Sequence, residues 1–503
     1  MTDPEEAEVA AWFAGRADRS FETACARIYL AGDTAFKVKR RVELGYLDYS
    51  TPELRLWALQ RELAFNRAAA SDIYRAVRRV TRTPAGGLEL DGAGPVVEHV
   101  LEMRRFDEDA VLSVQPWALD GDLAEALGRT VAQAHAAAPL RPRGGGGKAL
   151  KYTIDSNAHL IRELAPRLGG DRVEALIAAT DAEYFRRAAL LDARRDQGFA
   201  RRCHADLHLG NILLEYGRPV LFDCIEFNDV LSEIDVLYDL AFLLMDLDFR
   251  RRRDGAARVL SAYLDSAART FPAGLWEGLA ALPLMLSVRA GVRTHVCAHS
   301  GDLAGSGAYL DAALAHLAPP PPSLTAVGGR SGSGKSGFAR LIAPGLGASP
   351  GAVILRSDEV RKRLAGAGPD AVLPDAAYGP GTDGAVYDAL FAEAGRALAA
   401  GRAVALDATF LQPELRARAA DAARKAGVPF QGVWLQAAPE VLAARVAARR
   451  GDASDATLAT LKAQLAADPG VIDWAVVDAT GPAAAAAEAW AGSAPASDPW
   501  AVA

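Results

Sequence analysis

The sequence predicts a mixed chain of two folding units, an α+β unit in front and a parallel α/β unit behind. Three observations carry this. The chain has 503 residues, too many for one core when domains cluster at roughly 100–200 residues. Its front part alternates short apolar strand-like runs with longer helical ones and converges on one polar stretch, His204-Ala205-Asp206-Leu207-His208-Leu209-Gly210-Asn211. The run Pro319–Pro322 then breaks the chain, and a new apolar segment, Leu324–Gly328, leads straight into a glycine-rich turn. Consecutive prolines favour an extended spacer without internal hydrogen bonds. The expected division is therefore 1–318, a linker at 319–323, and 324–503.

Composition sets limits on function. Half the residues are hydrophobic (50%) and 24% are charged, the balance of a soluble globular protein. A formal charge of −7 gives no broad electrostatic footing for nucleic acid or an anionic membrane. Neither is expected as a partner, and small anionic ligands must be held by local donors. Cys25, Cys203, Cys224 and Cys297 lack paired spacing, and Met1–Glu6 is acidic where a secretory leader would be basic. The apolar run Leu237–Leu247 is interrupted by Asp239 and Asp246. A reducing cytoplasm is the expected compartment.

In chain order, Ile28–Leu30, a turn at Gly32-Asp33 and Ala35–Lys39 read as a hairpin, with Lys37 and Lys39 on one face of the second strand. Pro52 to Ala70 reads as a helix whose apolar face is Leu56, Leu59 and Leu63, and it carries Glu62. Val96–Met103 is a buried strand, and Leu123–Ala138 is a helix. The glycines of Arg143–Lys148 have no strand leading in and no Lys-Ser behind, so they read as a flexible surface loop. Helices from about Ile154 to Arg195 lead to the polar stretch, which is followed by the strands Ile212–Leu214 and Val220–Phe222 and by Asp223. This spacing suits phosphoryl transfer. Asp206 can orient an acceptor hydroxyl and take its proton, while Asn211 and Asp223 offer oxygen ligands to a nucleotide-bound metal. Asp235 and Asp239 open the next helix on one face, and helices continue to His316 with Arg289 and Arg293.

The pattern from His204 to Asn211, with Asp223 beyond it, resembles the H-x-D-x-x-x-x-N signature of aminoglycoside phosphotransferases and choline kinases, relatives of the protein kinases. The resemblance implies a bilobal protein-kinase-like fold with its small lobe ending near residue 103, binding ATP and Mg2+. It makes Asp206 catalytic and Asn211 and Asp223 metal ligands, with Glu226 as a further metal candidate. Lys37 becomes the phosphate-contacting lysine, with Lys39 as the alternative, and Glu62 becomes its helix partner. Val100 to Met103 becomes the hinge whose backbone bonds adenine, and Asp235 and Asp239 buttress the catalytic loop. One departure stands out: no G-x-G-x-x-G precedes Lys37.

In the rear unit, Gly329-Arg330-Ser331-Gly332-Ser333-Gly334-Lys335-Ser336 matches G-x-x-x-x-G-K-[ST] between a strand and an amphipathic helix. Backbone amides from Gly329, Arg330, Ser331, Gly332, Ser333 and Gly334 are expected to cradle phosphate oxygens at the helix N-terminus. Lys335 reaches the outer phosphates, and Ser336 ligates magnesium. Val353–Asp358 and Ala403–Thr409 read as further buried strands, the second supplying Asp407 to hold magnesium through water. Val433–Leu435 precedes a helix bearing Arg445 and Arg449, followed by the polar segment Arg450–Asp455. This order resembles the small-molecule and nucleic-acid kinase branch of P-loop proteins, which includes gluconate kinase, polynucleotide kinase and zeta-toxin-type enzymes. The resemblance implies that Asp358 acts on the acceptor hydroxyl, that Arg361 holds an anionic acceptor, and that Arg445 and Arg449 close over the transferring phosphate as lid arginines.

Taken whole, the chain is similar to bacterial fusions of an aminoglycoside phosphotransferase with an ATP-binding (AAA) P-loop protein. The expected function is ATP- and Mg2+-dependent transfer of the γ-phosphate to hydroxyl groups of small molecules at two ATP sites. Two alternatives stay open: a nucleotide-binding sensor joined to an NTPase switch, and a rear unit that phosphorylates nucleic-acid ends. The identity of the acceptors and the oligomeric state do not follow from the sequence.

Overall fold

Alternating buried and half-buried side chains turn the N-terminal segment into an antiparallel sheet. In the computed structural model, which describes residues 4–44, 47–271, 274–448 and 454–493, six strands make it: β1 (Arg19–Glu22), β2 (Ala26–Ala31), β3 (Thr34–Lys39), β4 (Tyr74–Arg82), β5 (Leu88–Leu90) and β6 (Val96–Arg104). Their order across the sheet is β1-β2-β3-β6-β4-β5. One face carries Val9 and Phe13 from helix Pro4–Ala14, packed on Tyr29, Val38, Val80 and Val100. The other carries helix Pro52–Asn66, whose Leu59 is buried among Ile28, Ala35, Leu101, Met103 and Leu213. Thr51 caps that helix by accepting the Leu54 N–H, and Pro52 opens it. It stops at Asn66, short of Ala70, where the Asn66 side chain donates to Glu62 O and accepts from Cys224 N–H.

The same compact unit continues through 137–153 and 192–243. Strands β7 (Ala200–Arg202) and β10 (Glu233–Asp235) pair antiparallel, and β8 (Ile212–Glu215) and β9 (Arg218–Leu221) form a ribbon. The four glycines behind Arg143 correct the loop expectation. Gly145, Gly146 and Gly147 are buried, and Gly146 begins a helix running to Glu163. A Cβ on Gly145 would lie 2.7 Å from the Ala200 Cβ, so glycine here serves close packing rather than mobility.

The second unit comprises 124–136, 154–191 and everything from Leu244 onward. Its sheet is parallel, with β11 (Leu324–Gly329), β12 (Val353–Arg356), β13 (Val404–Asp407), β14 (Phe430–Gln436) and β15 (Ala475–Asp478) in the order β12-β13-β11-β14-β15. Every residue of β11, β12 and β13 is buried, as expected of parallel strands covered on both faces. Edge strand β12 is closed by helix Arg253–Ala267, which comes from the segment ahead of the prolines. Ser261 Oγ accepts the Ile354 N–H at 3.0 Å, and Arg253 donates to Gly347 O at 2.9 Å. Asp265 pairs with Arg363, and Glu125 pairs with Arg340 at 2.6 Å. Helices that precede the proline run are thus part of the unit that holds the parallel sheet. No helix among the described residues is long and apolar enough to cross a membrane.

An unpaired buried N–H costs about 1–3 kcal/mol. Ser261→Ala is therefore expected to lower the unfolding free energy by roughly that amount, read as a shifted denaturation midpoint at unchanged slope.

Candidate active sites

In the first unit, β3 directs Lys37 and Lys39 toward one carboxylate. Lys37 Nζ lies 2.7 Å from Glu62 Oε1, and Lys39 Nζ lies 2.7 Å from Glu62 Oε2. Glu62 is 0% exposed. Burial alone would raise its pKa, but the two ammonium groups override that and pull it down to about 2. Lys37 also reaches Asp223 Oδ1 at 2.8 Å. Burial opposes its charge, yet Asp223 and Glu62 more than offset this, and it stays protonated. Sequence reasoning offered Lys39 only as an alternative to Lys37. The structure uses both, and Lys39 further binds Glu226 Oε1 at 2.6 Å, where Tyr49 also donates at 2.8 Å. Glu226 is therefore occupied as the partner of Lys39 and Tyr49.

Asp223 follows β9, and Phe222 N–H donates to Asn211 O at 3.1 Å, so Asn211 and Asp223 sit at the same end of the β8–β9 ribbon. The segment around Asp223 is tied down residue by residue. His204 Nε2 contacts Phe222 O, Tyr74 Oη accepts the Asp223 N–H, Ile225 N–H donates to His204 O, and Arg61 donates to Glu226 O. Asp223 adopts φ 60° and Ala205 φ 71°. Both lie in the left-handed region, which costs an alanine about 1–2 kcal/mol. Asp239, 0% exposed, holds Ala205 there by accepting N–H groups from His204 at 3.0 Å and Ala205 at 2.7 Å. Asp235 does not share this task. It pairs with Arg194 through contacts of 2.7 and 2.8 Å and accepts the Leu237 N–H, so it fixes a helix start instead of the loop.

Asn211 Nδ2 donates to Asp206 O and Asp206 Oδ2, both at 2.9 Å, and His208 Nε2 lies 3.4 Å from the same carboxylate. With its nitrogen so engaged, the Asn211 amide presents its oxygen as the atom suited to a cation. Val100 and Met103 are corrections. Both belong to β6, an interior strand paired with β4 along its length and with β3 over its last residues, and the ladders take the backbone groups that an adenine hinge would need. Val100 is also 0% exposed.

In the second unit, β11 runs into the glycine-rich loop, and helix Lys335–Ile342 starts behind it. Gly332 has φ 83°, and a Cβ there would meet Leu442 O at 2.5 Å, so no other residue fits. Gly334 caps the helix at φ 87° with open space where a Cβ would stand. The expected cradle is narrower than the motif suggests. The N–H groups of Gly329, Ser331 and Ser333 are spent on Thr409 O, Gln464 Oε1 and Arg330 O, and the Arg330 guanidinium donates to Gln464 O. Phosphate donors must come from Gly332 and from the helix start at Gly334, Lys335 and Ser336. Ser333 Oγ is buried without a partner among the described residues, which fits a loop built for an anion. Lys335 Nζ spans the loop to Arg330 O at 3.1 Å. Gln464 carried no sequence signal, because it lies on a helix far along the chain.

Asp407 ends β13, in parallel register with Arg356 at the end of β12. Arg356 donates to Asp407 Oδ2 at 3.2 Å and to Ser336 Oγ at 3.0 Å. Asp358 stands in the first turn of helix Ser357–Leu364, where burial pushes its carboxyl pKa up, Arg356 opposing and Asp407 reinforcing. A carboxyl so raised suits proton uptake. Arg361 is committed elsewhere, donating to Ala377 O and pairing with Asp383 at 2.7 Å. Arg445 is a correction as well: its guanidinium donates to the carbonyls of Ala479, Thr480 and Gly481 at 2.7, 2.9 and 2.7 Å. It staples the segment after β15 and is not free to close over a phosphate. Arg449 and most of the expected lid, 450–453, lie outside the described residues. Next to the loop is a cavity of about 240 Å³ lined by Ser333, Gly334, Phe338, Leu435, Arg445 and Pro482.

A family model described as an AAA domain matches residues 324–468, and one described as a phosphotransferase enzyme family matches residues 52–282. An uncharacterized protein of Mycobacterium tuberculosis is 32% identical over 480 residues, covering 92% of this chain and 92% of its own, and one from Mycobacterium bovis matches equally. Among solved structures, a gluconokinase from Sinorhizobium meliloti is 25% identical, covering 33% of this chain and 88% of its own, with a TM-score of 0.24. A thermostable mutant of an aminoglycoside phosphotransferase is 14% identical, covering 62% of this chain and 98% of its own, with a TM-score of 0.39.

Two outcomes test the first site. Because the Glu62 pKa is depressed on folding, its contribution, on the order of 3 kcal/mol, is present above about pH 4.5 and lost as pH falls toward 2. The stability gap between the natural chain and Glu62→Gln should therefore close across that window in denaturant titrations. Asp239→Ala should cost about 3 kcal/mol and slow any turnover at Asp206 roughly 100-fold by letting the loop shift.

Proposed function

We propose, from the premise that the chain belongs to the family of proteins joining a phosphotransferase enzyme segment to an AAA-type P-loop segment, that this phosphotransferase works at two ATP sites, one in each compact unit. Each moves a terminal phosphate to a hydroxyl group of a small molecule. The observation that carries the reading is the position of Lys37, bonded at once to Glu62 and Asp223, residues 25 and 186 positions away in sequence. A lysine held between a helix carboxylate and a prospective metal ligand is set to meet phosphate oxygens when a nucleotide enters.

When bound, ATP with Mg2+ supplies the transferable phosphoryl group and the charge that neutralises its oxygens. At the first site, Asp206 orients the acceptor hydroxyl and takes its proton while the new O–P bond forms and the bond to the departing ADP oxygen breaks. Asn211, through its amide oxygen, and Asp223 are the residues that would hold the metal. Lys37 then faces the phosphates, and Lys39 keeps Glu62 paired.

At the second site, Gly332, Gly334 and the helix start at Lys335 and Ser336 bind the phosphates. Ser336 and Asp407 would hold the metal, and Asp358 takes the acceptor proton. The cavity beside Ser333 and Gly334, bounded by Arg445 and Pro482, is where the nucleoside would rest. The scattered spacing of Cys25, Cys203, Cys224 and Cys297 favours a reducing compartment.

Asp206→Ala and Lys335→Ala separate the sites. Against a pool of small hydroxyl compounds with γ-labelled ATP, each substitution is expected to abolish one set of labelled products and spare the other. Loss of every product from either single substitution would overturn the two-site reading.

A further inference from the structure

One buried cation near the second site has no part in the scheme above. Arg356 is 5% exposed at the end of β12, and strand pairing sets it beside Asp407. Its guanidinium reaches Ser336 Oγ from Nη2 at 3.0 Å, Asp407 Oδ2 from Nε at 3.2 Å, and Glu359 Oε1 from Nη1 at 3.3 Å. The first two are the oxygens that would serve the divalent ion. A guanidinium has no lone pair to share with a metal, and its charge repels one.

We propose that Arg356 is a built-in competitor of the divalent ion at the P-loop, a positioning residue that holds Ser336 and Asp407 until the metal displaces it toward Glu359. This rests on the P-loop reading given above. The physical consequence is a linkage. With nucleotide but no metal, the guanidinium remains between Ser336 and Asp407, where its charge stabilises the nearby phosphates. When the metal arrives, that contribution must be surrendered. Arg356 thereby reduces the amount by which magnesium improves nucleotide affinity. Glu359, three residues on in the first turn of the following helix, is the acid already in contact and receives the released charge.

The test is binding, not turnover. A non-hydrolysable ATP analogue is titrated calorimetrically into the full chain with EDTA and then with Mg2+, and the P-loop event is identified as the one that disappears in Lys335→Ala. The quantity read is the ratio of the two dissociation constants. In Arg356→Met, the ratio should rise about tenfold, with weaker binding in EDTA and binding in Mg2+ equal or tighter. In Glu359→Gln, it should fall several-fold, because the displaced guanidinium loses its alternative partner. A purely structural role would weaken both conditions alike and leave the ratio unchanged, and that result, or a fall in Arg356→Met, would overturn the proposal. If no binding event disappears in Lys335→Ala, the fault lies with the P-loop reading itself.

Discussion

The first unit depends on a carboxylate with no access to water. Glu62 is 0% exposed, and burying a charge is tolerable only when it is fully paired, as it is here by Lys37 on one oxygen and Lys39 on the other. Each lysine in turn holds a different acid beyond β9, Lys37 taking Asp223 and Lys39 taking Glu226. One helix residue thus sets the distance between the small-lobe sheet and the segment that ends the ribbon. Lys39 also gives Glu62 a permanent counter-charge, so Lys37 can turn to phosphate oxygens without stranding a buried anion. The pinned backbone from Phe222 to Glu226 follows from this arrangement, with Tyr74 and Arg61 completing what the ion pairs begin.

The second unit reaches a similar end by other means. It relies at its loop on backbone geometry, with a strand, a left-handed Gly332 close against Leu442 O, and a helix start that gathers N–H groups. The parallel order of β13, β11 and β12 delivers Asp407, the glycine loop and Asp358 to one edge, because parallel strands all end on the same side. Sequence distance is irrelevant once register is set.

Where residue identity and local spacing specify a contact, the sequence could be read. The hairpin carrying Lys37, the helix carrying Glu62, the strand leading into Gly329, and the strand ends at Asp223 and Asp407 all follow from apolar periodicity and turn residues. Where a contact depends on how distant segments meet, it could not. Gln464 closing on Ser331 and Tyr74 on Asp223 are separated by too much chain for any local pattern to link the pair, and the contact of Asp239 with the loop at Ala205 is reached only through the family resemblance. Val100 and Met103 misled for a related reason. A buried strand looks the same in sequence whether it lies in the middle of a sheet or opens a hinge, and only the strand order shows that β6 has neighbours on both sides. The glycines before Lys148 show the opposite error, since their small size serves tight packing as readily as motion.

Arginines of the second unit, easily taken for surface charge, act as clamps on main-chain oxygens. Arg402, 0% exposed, gathers the carbonyls of Ala348, Ser349 and Gly351, and Arg416, 2% exposed, those of Phe410, Leu411, Pro469 and Val471. A planar five-donor group can bridge several loops at once, which an ammonium cannot. A peptide oxygen, unlike a carboxylate, does not take up protons at any acidity a folded chain survives. The segments that Arg402 and Arg416 bridge are accordingly tied by bonds that acid leaves intact, whereas the pairs Glu62 makes with Lys37 and Lys39 part once that carboxylate takes up a proton. Acidification should therefore loosen the molecule unevenly, parting the ion pairs of the antiparallel sheet while the guanidinium clamps of the parallel one still hold.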